Sequence, residues 1–146
     1  MGKYVFLICL GLALNNSLAA QALLNGFYYV DVPSDSTLNR TNTAGTWWLR
    51  PTPAVKGRHI TSAKVKQVFG QWVLEISLNE AGRKALFMAT KAWEGKQMAI
   101  VVGDGVVSAP FVQEAISGGR VQISGAYTKS ELGAMRRALL LRQKRD

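Results

Sequence analysis

The sequence predicts an α+β fold, in which a mainly antiparallel sheet carries two helices packed on one face. Short runs rich in β-branched residues recur along the chain, and apolar residues occupy every second position from Trp72 to Leu78. Two other segments, which begin after Asn79 and Thr128, carry apolar residues at helical spacing behind a capping residue. No repeat of about twenty residues or more is present, which excludes solenoids and propellers.

Residues 1–20 have the order of a secretory signal peptide. Lys3 precedes an apolar run from Tyr4 to Leu14, and a small-residue cleavage site follows around Ala19. We therefore expect a cleaved leader and a periplasmic or secreted protein. The alternative is an uncleaved helix from Tyr4 to Leu24 that anchors the chain in the inner membrane.

Residues 21–57 are predicted to form an N-terminal extension of strands and loops. Aromatic and β-branched residues predict a strand from Gly26 to Val32. The polar run from Pro33 to Gly45 predicts a loop, and Thr46 to Arg50 predicts another short strand. Two prolines and a glycine after it predict an irregular stretch.

Residues 58–146 are predicted to form the main α+β domain. It begins with a strand from His59 to Phe69, which a tight link joins to the alternating strand that ends at Leu78. Asn79 then caps a helix, because its side-chain oxygen can accept a hydrogen bond from an amide of the first turn.

Three short strands are predicted between Met98 and Gly125. The run from Met98 to Val102 and the strand after it are joined by Gly103-Asp104-Gly105, whose residues tolerate a positive φ. Pro110 ends the second strand because it cannot donate to a ladder. Thr128 and Glu131 form a capping box at the start of the last helix.

An ordered set of residues in this region also carries a family resemblance. Val107-Ser108-Ala109-Pro110, then Gly118-Gly119, then Ile123-Ser124-Gly125 occur at the spacings found in the periplasmic head subdomain of SecD and SecDF. The chain resembles this family over roughly residues 58–140. The resemblance implies the head fold and an accessory role in protein export. Since this chain lacks the membrane bundle of the family, we do not expect it to translocate polypeptides alone.

The inventory of reactive side chains is poor, and we expect no enzyme activity, no cofactor and no metal site. His59 is the only histidine and Cys9 the only cysteine, so a zinc site lacks its usual ligands. Ser108 lies outside any nucleophile elbow, and Gly103-Asp104-Gly105 leads into a strand, which excludes the dinucleotide motif. A leader cleaved after Cys9 would leave a domain without disulfides.

Exposed apolar residues are the candidate binding groups. The excursion from Pro110 to Gly119 contains Phe111, Val112 and Ile116, and a strand edge beside it could hold an extended peptide. The adjacent Trp47 and Trp48 are a second candidate anchor for a protein partner. The alternative for both groups is that these side chains simply fill the core.

The formal net charge is +9, with a basic cluster at the C-terminus. The candidate contacts to anionic surfaces are Arg136, Arg137, Arg142, Lys144 and Arg145. Anionic lipid, envelope polyanions and acidic polypeptide segments are the expected partners of an exported basic chain, whereas nucleic acid is not. The alternative is a solvated helix end that the helix dipole favours.

Two functions follow from these observations. The first is an exported, non-catalytic polypeptide-binding module that resembles the SecD head, with unfolded polypeptide and Sec translocon components as partners. The second is a secreted inhibitor or immunity-type protein that binds one folded enzyme through the tryptophans or the Phe111 loop.

Overall fold

The structure, a computed structural model, describes residues 22–142 of the chain. The predicted signal peptide, Lys144 and Arg145 lie outside the described residues. The elements, in chain order, are β1 (Gly26–Asp31), β2 (Leu38–Asn42), β3 (Gly45–Leu49), β4 (Val55–Lys56), a 3₁₀ turn (Gly57–His59), β5 (Ile60–Val68), β6 (Gln71–Leu78), α1 (Glu80–Ala92), β7 (Met98–Val102), β8 (Gly105–Ser108), β9 (Arg120–Ile123) and α2 (Lys129–Arg142).

The strands form two antiparallel sheets. The larger sheet has six strands in the order β2-β3-β1-β7-β8, with β4 paired to β1 beside β3, and the smaller has the order β5-β6-β9. Helix α1 packs against β4 and β6, and α2 packs against β5, β6 and β7. The predicted α+β class with antiparallel pairing and two helices is confirmed, although the strands divide between two sheets.

Strand β1 separates two apolar cores. Because side chains alternate across a strand, Phe27 enters the core between the larger sheet, the smaller sheet and the helices, whereas Tyr28 enters a second core on the opposite face. Both side chains are buried. The second core is covered by the β2–β3 hairpin, which supplies Leu38 and Leu49. The extension predicted for residues 21–57 thus contributes a central strand and a covering hairpin, and its boundary at residue 57 stays a prediction.

Strand β2 lies inside the segment predicted to be a loop, so this prediction was wrong. Its sequence is polar apart from Leu38, which is fully buried, and it is held by five residue pairs with β3. Arg40 reaches across to the β7–β8 turn, where its Nη2 lies 2.9 Å from Asp104 Oδ1. Asn42 Nδ2 donates to the Val106 carbonyl at 2.9 Å. Tertiary contacts therefore order a segment that has no strand pattern of its own.

The two-residue strand β4 also lies in a stretch predicted to be irregular. It pairs with the start of β1, where the Ala54 amide donates to the Phe27 carbonyl at 2.8 Å. The close approach of β4 to β1 requires glycine at position 26, because a Cβ there would lie 2.5 Å from the Val55 carbonyl oxygen.

Both helix starts are capped as predicted. Asn79 Oδ1 accepts from the Gly82 amide at 2.8 Å. The Thr128 amide donates to Glu131 Oε2 at 2.7 Å, and the Glu131 amide donates to Thr128 Oγ1 at 3.2 Å, which completes the capping box.

Candidate functional site

An apolar groove of about 300 Å³ lies between α1, β7 and β9. Its lining is apolar, and its rim is polar. The apolar lining includes Phe27, Leu86, Met98, Ile100, Ile116 and Val121, and the polar rim includes Gln113, Glu114, Arg120 and Gln122. The groove therefore offers apolar surface to a ligand, with one acidic and one basic side chain at its margin.

One wall of the groove is the segment from Pro110 to Val112, which continues the hairpin after β8. The Met98 amide donates to the Pro110 carbonyl at 3.1 Å, and the Val112 amide donates to the Lys96 carbonyl at 2.9 Å. This pairing places alternate side chains on opposite sides. Phe111 is 61% exposed, whereas Val112 is 7% exposed.

The three apolar residues predicted in this loop therefore occupy different environments. Phe111 projects at the rim, Ile116 is half-buried in the wall, and Val112 belongs to the core. Because a buried side chain is inaccessible to a partner, only Phe111 and part of Ile116 are exposed enough to stay candidate binding groups.

The loop is fixed to α1 by a residue that sequence reasoning missed. Thr90 is almost completely buried, and its Oγ1 accepts from the Ile116 amide at 2.9 Å and donates to the Leu86 carbonyl at 2.8 Å. Thr90 follows Leu86 and Ala89 on the apolar stripe of α1. A hydroxyl residue on a buried helical stripe was the sequence pattern that could have identified it.

The opposite wall is strand β9, which is an edge strand of the smaller sheet. The Leu78 amide donates to the Gly119 carbonyl at 2.9 Å. Because antiparallel ladders alternate, the amides of Val121 and Ile123 then face β6, and those of Arg120 and Gln122 face the open side. Backbone donors and acceptors thus border an apolar groove. In peptide-binding domains, an extended peptide can pair as a further strand with a sheet edge of this kind.

The two tryptophans lie apart from this groove. They are neighbours on β3 and both are half-buried, and Trp47 packs against the second core. Trp47 lines a separate pocket of about 330 Å³ together with Val107, Tyr127 and Met135, and Trp48 lines neither. The structure does not bring Trp47 and Trp48 together with the Phe111 loop.

The basic residues of α2 have unequal environments. Arg136 Nε donates to the Ala63 carbonyl at 2.8 Å, which ties the helix to β5. Arg137 is exposed. The side chain of Arg142 lies outside the described part of the structure, as do Lys144 and Arg145, so the predicted anionic contact surface stays a prediction.

The residues considered for catalysis lie outside the groove. The His59 carbonyl accepts from the Asn79 amide at 2.8 Å, and Ser108 on β8 lines the pocket of Trp47. Among residues 22–142, no three histidine, cysteine or acidic side chains are grouped so that they could hold a metal ion. Neither of the helices described here is long and apolar enough to span a bilayer.

Arg50 and Asp31 form an ion pair beside Trp93, the residue that follows the last residue of α1. The guanidinium carbon of Arg50 lies 4.6 Å from the Trp93 ring centre, and Arg50 Nε lies 2.7 Å from Asp31 Oδ2. The hydrogen bond from Arg50 lowers the pKa of Asp31, as does the Val32 amide. Tyr29 of β1 also packs against Trp93, with the ring centres 4.6 Å apart and the ring planes tilted by 47°. These contacts join β1, the end of β3 and the end of α1.

Comparison with known proteins gives a family model and several relatives. The model described as SecDF, P1 head subdomain, matches residues 34–144. The protein translocase subunit SecD of Calditerrivibrio nitroreducens is 35% identical over 85 residues, which are 57% of this chain and 16% of that protein. SecD of Acetobacter pasteurianus is 33% identical over 90 residues, or 60% of this chain and 17% of that protein. The chain thus spans about a sixth of the length of these relatives.

Solved structures show the same fold. A structure described as the membrane component SecDF that enhances protein export aligns with a TM-score of 0.63 at 23% identity, covering 86% of this chain and 64% of that one. SecDF in its super-membrane-facing form also aligns at 0.63 and 23% identity, covering 84% of this chain and 19% of that one.

Proposed function

This chain belongs to the SecDF P1 head subdomain family, and we propose that it is an exported, non-catalytic module that binds unfolded polypeptide during protein export or envelope protein handling. Its relatives are subunits of the protein translocase. The partners we assign to it are translocating polypeptides and components of the Sec translocon. It acts outside the membrane, with residues 1–20 as a cleaved signal peptide or, in the alternative, as part of a retained anchor.

The observation that carries this proposal is the apolar groove beside the open edge of β9. An unfolded polypeptide has unpaired backbone amides and exposed apolar side chains. The edge of β9 supplies backbone partners that do not depend on sequence, and the groove accepts an apolar side chain next to them. A module that handles many clients needs this sequence tolerance.

The rim adds little sequence preference. Glu114 and Arg120 carry opposite charges at the groove, and both are exposed. Exposed charges contribute modestly to affinity in water. Binding is therefore weak and broad rather than specific for one sequence.

The alternative function is inhibition of one folded enzyme, which requires aromatic side chains that lie together on one surface and anchor the partner. Trp47 and Trp48 are half-buried and point to opposite sides of β3, as neighbours on a strand do. Phe111 lies at a different pocket. Because hot spots cluster at the centre of an interface, the separation of these aromatic residues favours polypeptide binding over inhibition.

The edge of β9 can be tested by removing one outward backbone donor. Gln122→Pro deletes the amide that faces the open side, and Gln122→Thr keeps it as a matched control. One net hydrogen bond is worth about 0.5–1.5 kcal/mol. Calorimetric titration with an extended apolar peptide is expected to show about two- to tenfold weaker binding for Gln122→Pro and unchanged binding for Gln122→Thr. Equal affinities, or no binding by the wild-type chain, would contradict the proposal.

A further inference from the structure

The β5–β6 hairpin ends in a phenylalanine that the fold does not explain. The Phe69 side chain is fully exposed, at 103% relative exposure. Its φ is +49° and that of Gly70 is +80°, and Val68 pairs with Gln71 on either side of them. This two-residue turn with two positive φ angles is of type I′, which asparagine followed by glycine favours.

Phenylalanine at position 69 is therefore unfavourable in two respects. A bulky residue in the left-handed region is strained, and an exposed ring gains nothing from burial. Asparagine would avoid both costs. Strain of this kind in an exposed residue points to a contact made outside the fold.

The surroundings of the hairpin are strongly basic. Glu75 is the only acidic residue between Ile60 and Leu78, and the hydrogen bond from Lys66 lowers its pKa, with smaller effects from the charges of Arg120 and Lys64. Lys129 Nζ lies 5.0 Å from the ring centre of Trp72 on the same hairpin. Strands β5, β6 and β9 and helix α2 carry a net formal charge of +5, from two acidic residues, Glu75 and Glu131, and seven basic ones: Lys64, Lys66, Arg120, Lys129, Arg136, Arg137 and Arg142.

We propose that this hairpin tip, residues 68–71, docks on an anionic lipid bilayer by inserting Phe69 into the interfacial region. Lys64 and Lys66 on the same hairpin then approach the headgroup phosphates. The inference is independent of the groove, because none of these four residues lines it.

The chemistry of the tip favours lipid over a folded protein. A bilayer interface accepts a single aromatic ring without a matching pocket. A protein interface needs a wider apolar centre, yet Gln67, Gly70 and Gln71 around Phe69 are polar or small and exposed. The positive charge of the hairpin and of its neighbouring elements is also complementary to anionic lipid headgroups.

The test uses the full chain with an environment-sensitive fluorophore on a cysteine that replaces Gln71. Cys9→Ser leaves this as the only attachment point. The probes are vesicles of phosphatidylethanolamine with phosphatidylglycerol, and vesicles of phosphatidylcholine alone. We expect a blue shift of the fluorophore emission with the anionic vesicles only. Because the fluorophore reports at the tip, binding by the N-terminal apolar segment does not produce this result.

Phe69→Asn is the decisive variant and Phe69→Trp its matched control. Phe69→Asn is expected to lower the affinity of the tip for anionic vesicles by about tenfold, whereas Phe69→Trp keeps it. Since asparagine suits the turn, the melting temperature of Phe69→Asn should stay equal or rise, which excludes unfolding as the cause. Lys64→Gln with Lys66→Gln should weaken the same shift.

Three outcomes would overturn the assignment. In the first, anionic vesicles cause no emission shift. In the second, phosphatidylcholine vesicles cause a shift as large as that with anionic vesicles, and in the third, Phe69→Asn shows the same shift as the wild-type chain. A protein that binds the wild-type chain but not Phe69→Asn, with vesicles leaving the fluorophore unchanged, would assign the tip to a protein partner instead.

Discussion

The hydroxyl of Thr90 accepts a hydrogen bond of 2.9 Å from the amide of Ile116, which follows it by 26 residues. The same hydroxyl donates to the Leu86 carbonyl, so it links helix α1 to the loop that forms the groove wall. Because a buried polar group is costly unless it is paired, this pair fixes the loop in one position. The groove is thus a preformed feature of the fold.

Thr90→Val should lower the free energy of unfolding by about 1–3 kcal/mol. The substitution keeps the shape of the side chain but leaves the Ile116 amide without its partner. Urea denaturation measures the loss, and hydrogen exchange at Ile116 should accelerate. Thr90→Ser, which retains the hydroxyl, is the control. Stability and exchange equal to wild type in Thr90→Val would show that this bond does not hold the loop.

Phe111 and Val112 should respond in opposite ways to truncation. Phe111→Ser should leave stability within about 0.5 kcal/mol, as exposed substitutions do, and weaken binding of apolar peptides. Val112→Ala should cost about 1–2 kcal/mol of stability, because two buried methyl groups are lost. Thermal melts and peptide titrations measure both. A large stability loss in Phe111→Ser would mean that its ring is a core residue and not part of the rim.

Gly26→Ala should destabilise the junction of β1 and β4 severely, by about 2 kcal/mol or more. The added Cβ would meet the Val55 carbonyl oxygen at 2.5 Å, where backbone cannot easily move aside. Gly118→Ala is the matched control, since no atom lies within 4 Å of its Cβ position. Denaturation of both variants measures the difference, and similar losses would contradict the close approach at Gly26.

The Asp31–Arg50 pair should make stability depend on acid pH. The pKa of Asp31 is lowered from its ordinary value of 3.8 by the hydrogen bond from Arg50. A carboxyl whose folded pKa is depressed contributes stability above the unfolded pKa and loses it as the pH falls through the folded pKa. Wild type should therefore lose stability below about pH 4, and Asp31→Asn should lose less over the same range. Asp35→Asn in the exposed loop is the control and should behave like wild type.

Local patterns predicted much of the fold. The alternation from Trp72 to Leu78 and the caps at Asn79 and Thr128 appear in the structure as expected, because these elements depend on residues near them in sequence. Strand β2 was not predictable in this way. Its residues become ordered only when Leu38 is buried and Arg40 meets Asp104, 64 residues away.

The candidate site was predictable only in part. The ordered glycine, serine and proline residues identified the family. For the excursion after Pro110, the sequence left two alternatives open, exposed apolar side chains that bind a partner and side chains that fill the core. Sequence could not show that Val112 points inward while Phe111 points outward, because that depends on pairing with Lys96 and Met98. The position of β9 at a sheet edge likewise follows from the order of strands in space.

The most direct test of the central claim is an NMR titration of the chain with an extended apolar peptide. Addition of the peptide to the edge of β9 predicts intermolecular backbone contacts at the amides of Arg120 and Gln122, with perturbed side-chain resonances of Phe111 and Ile116. Perturbations confined to the pocket of Trp47, or none at saturating peptide, would contradict it.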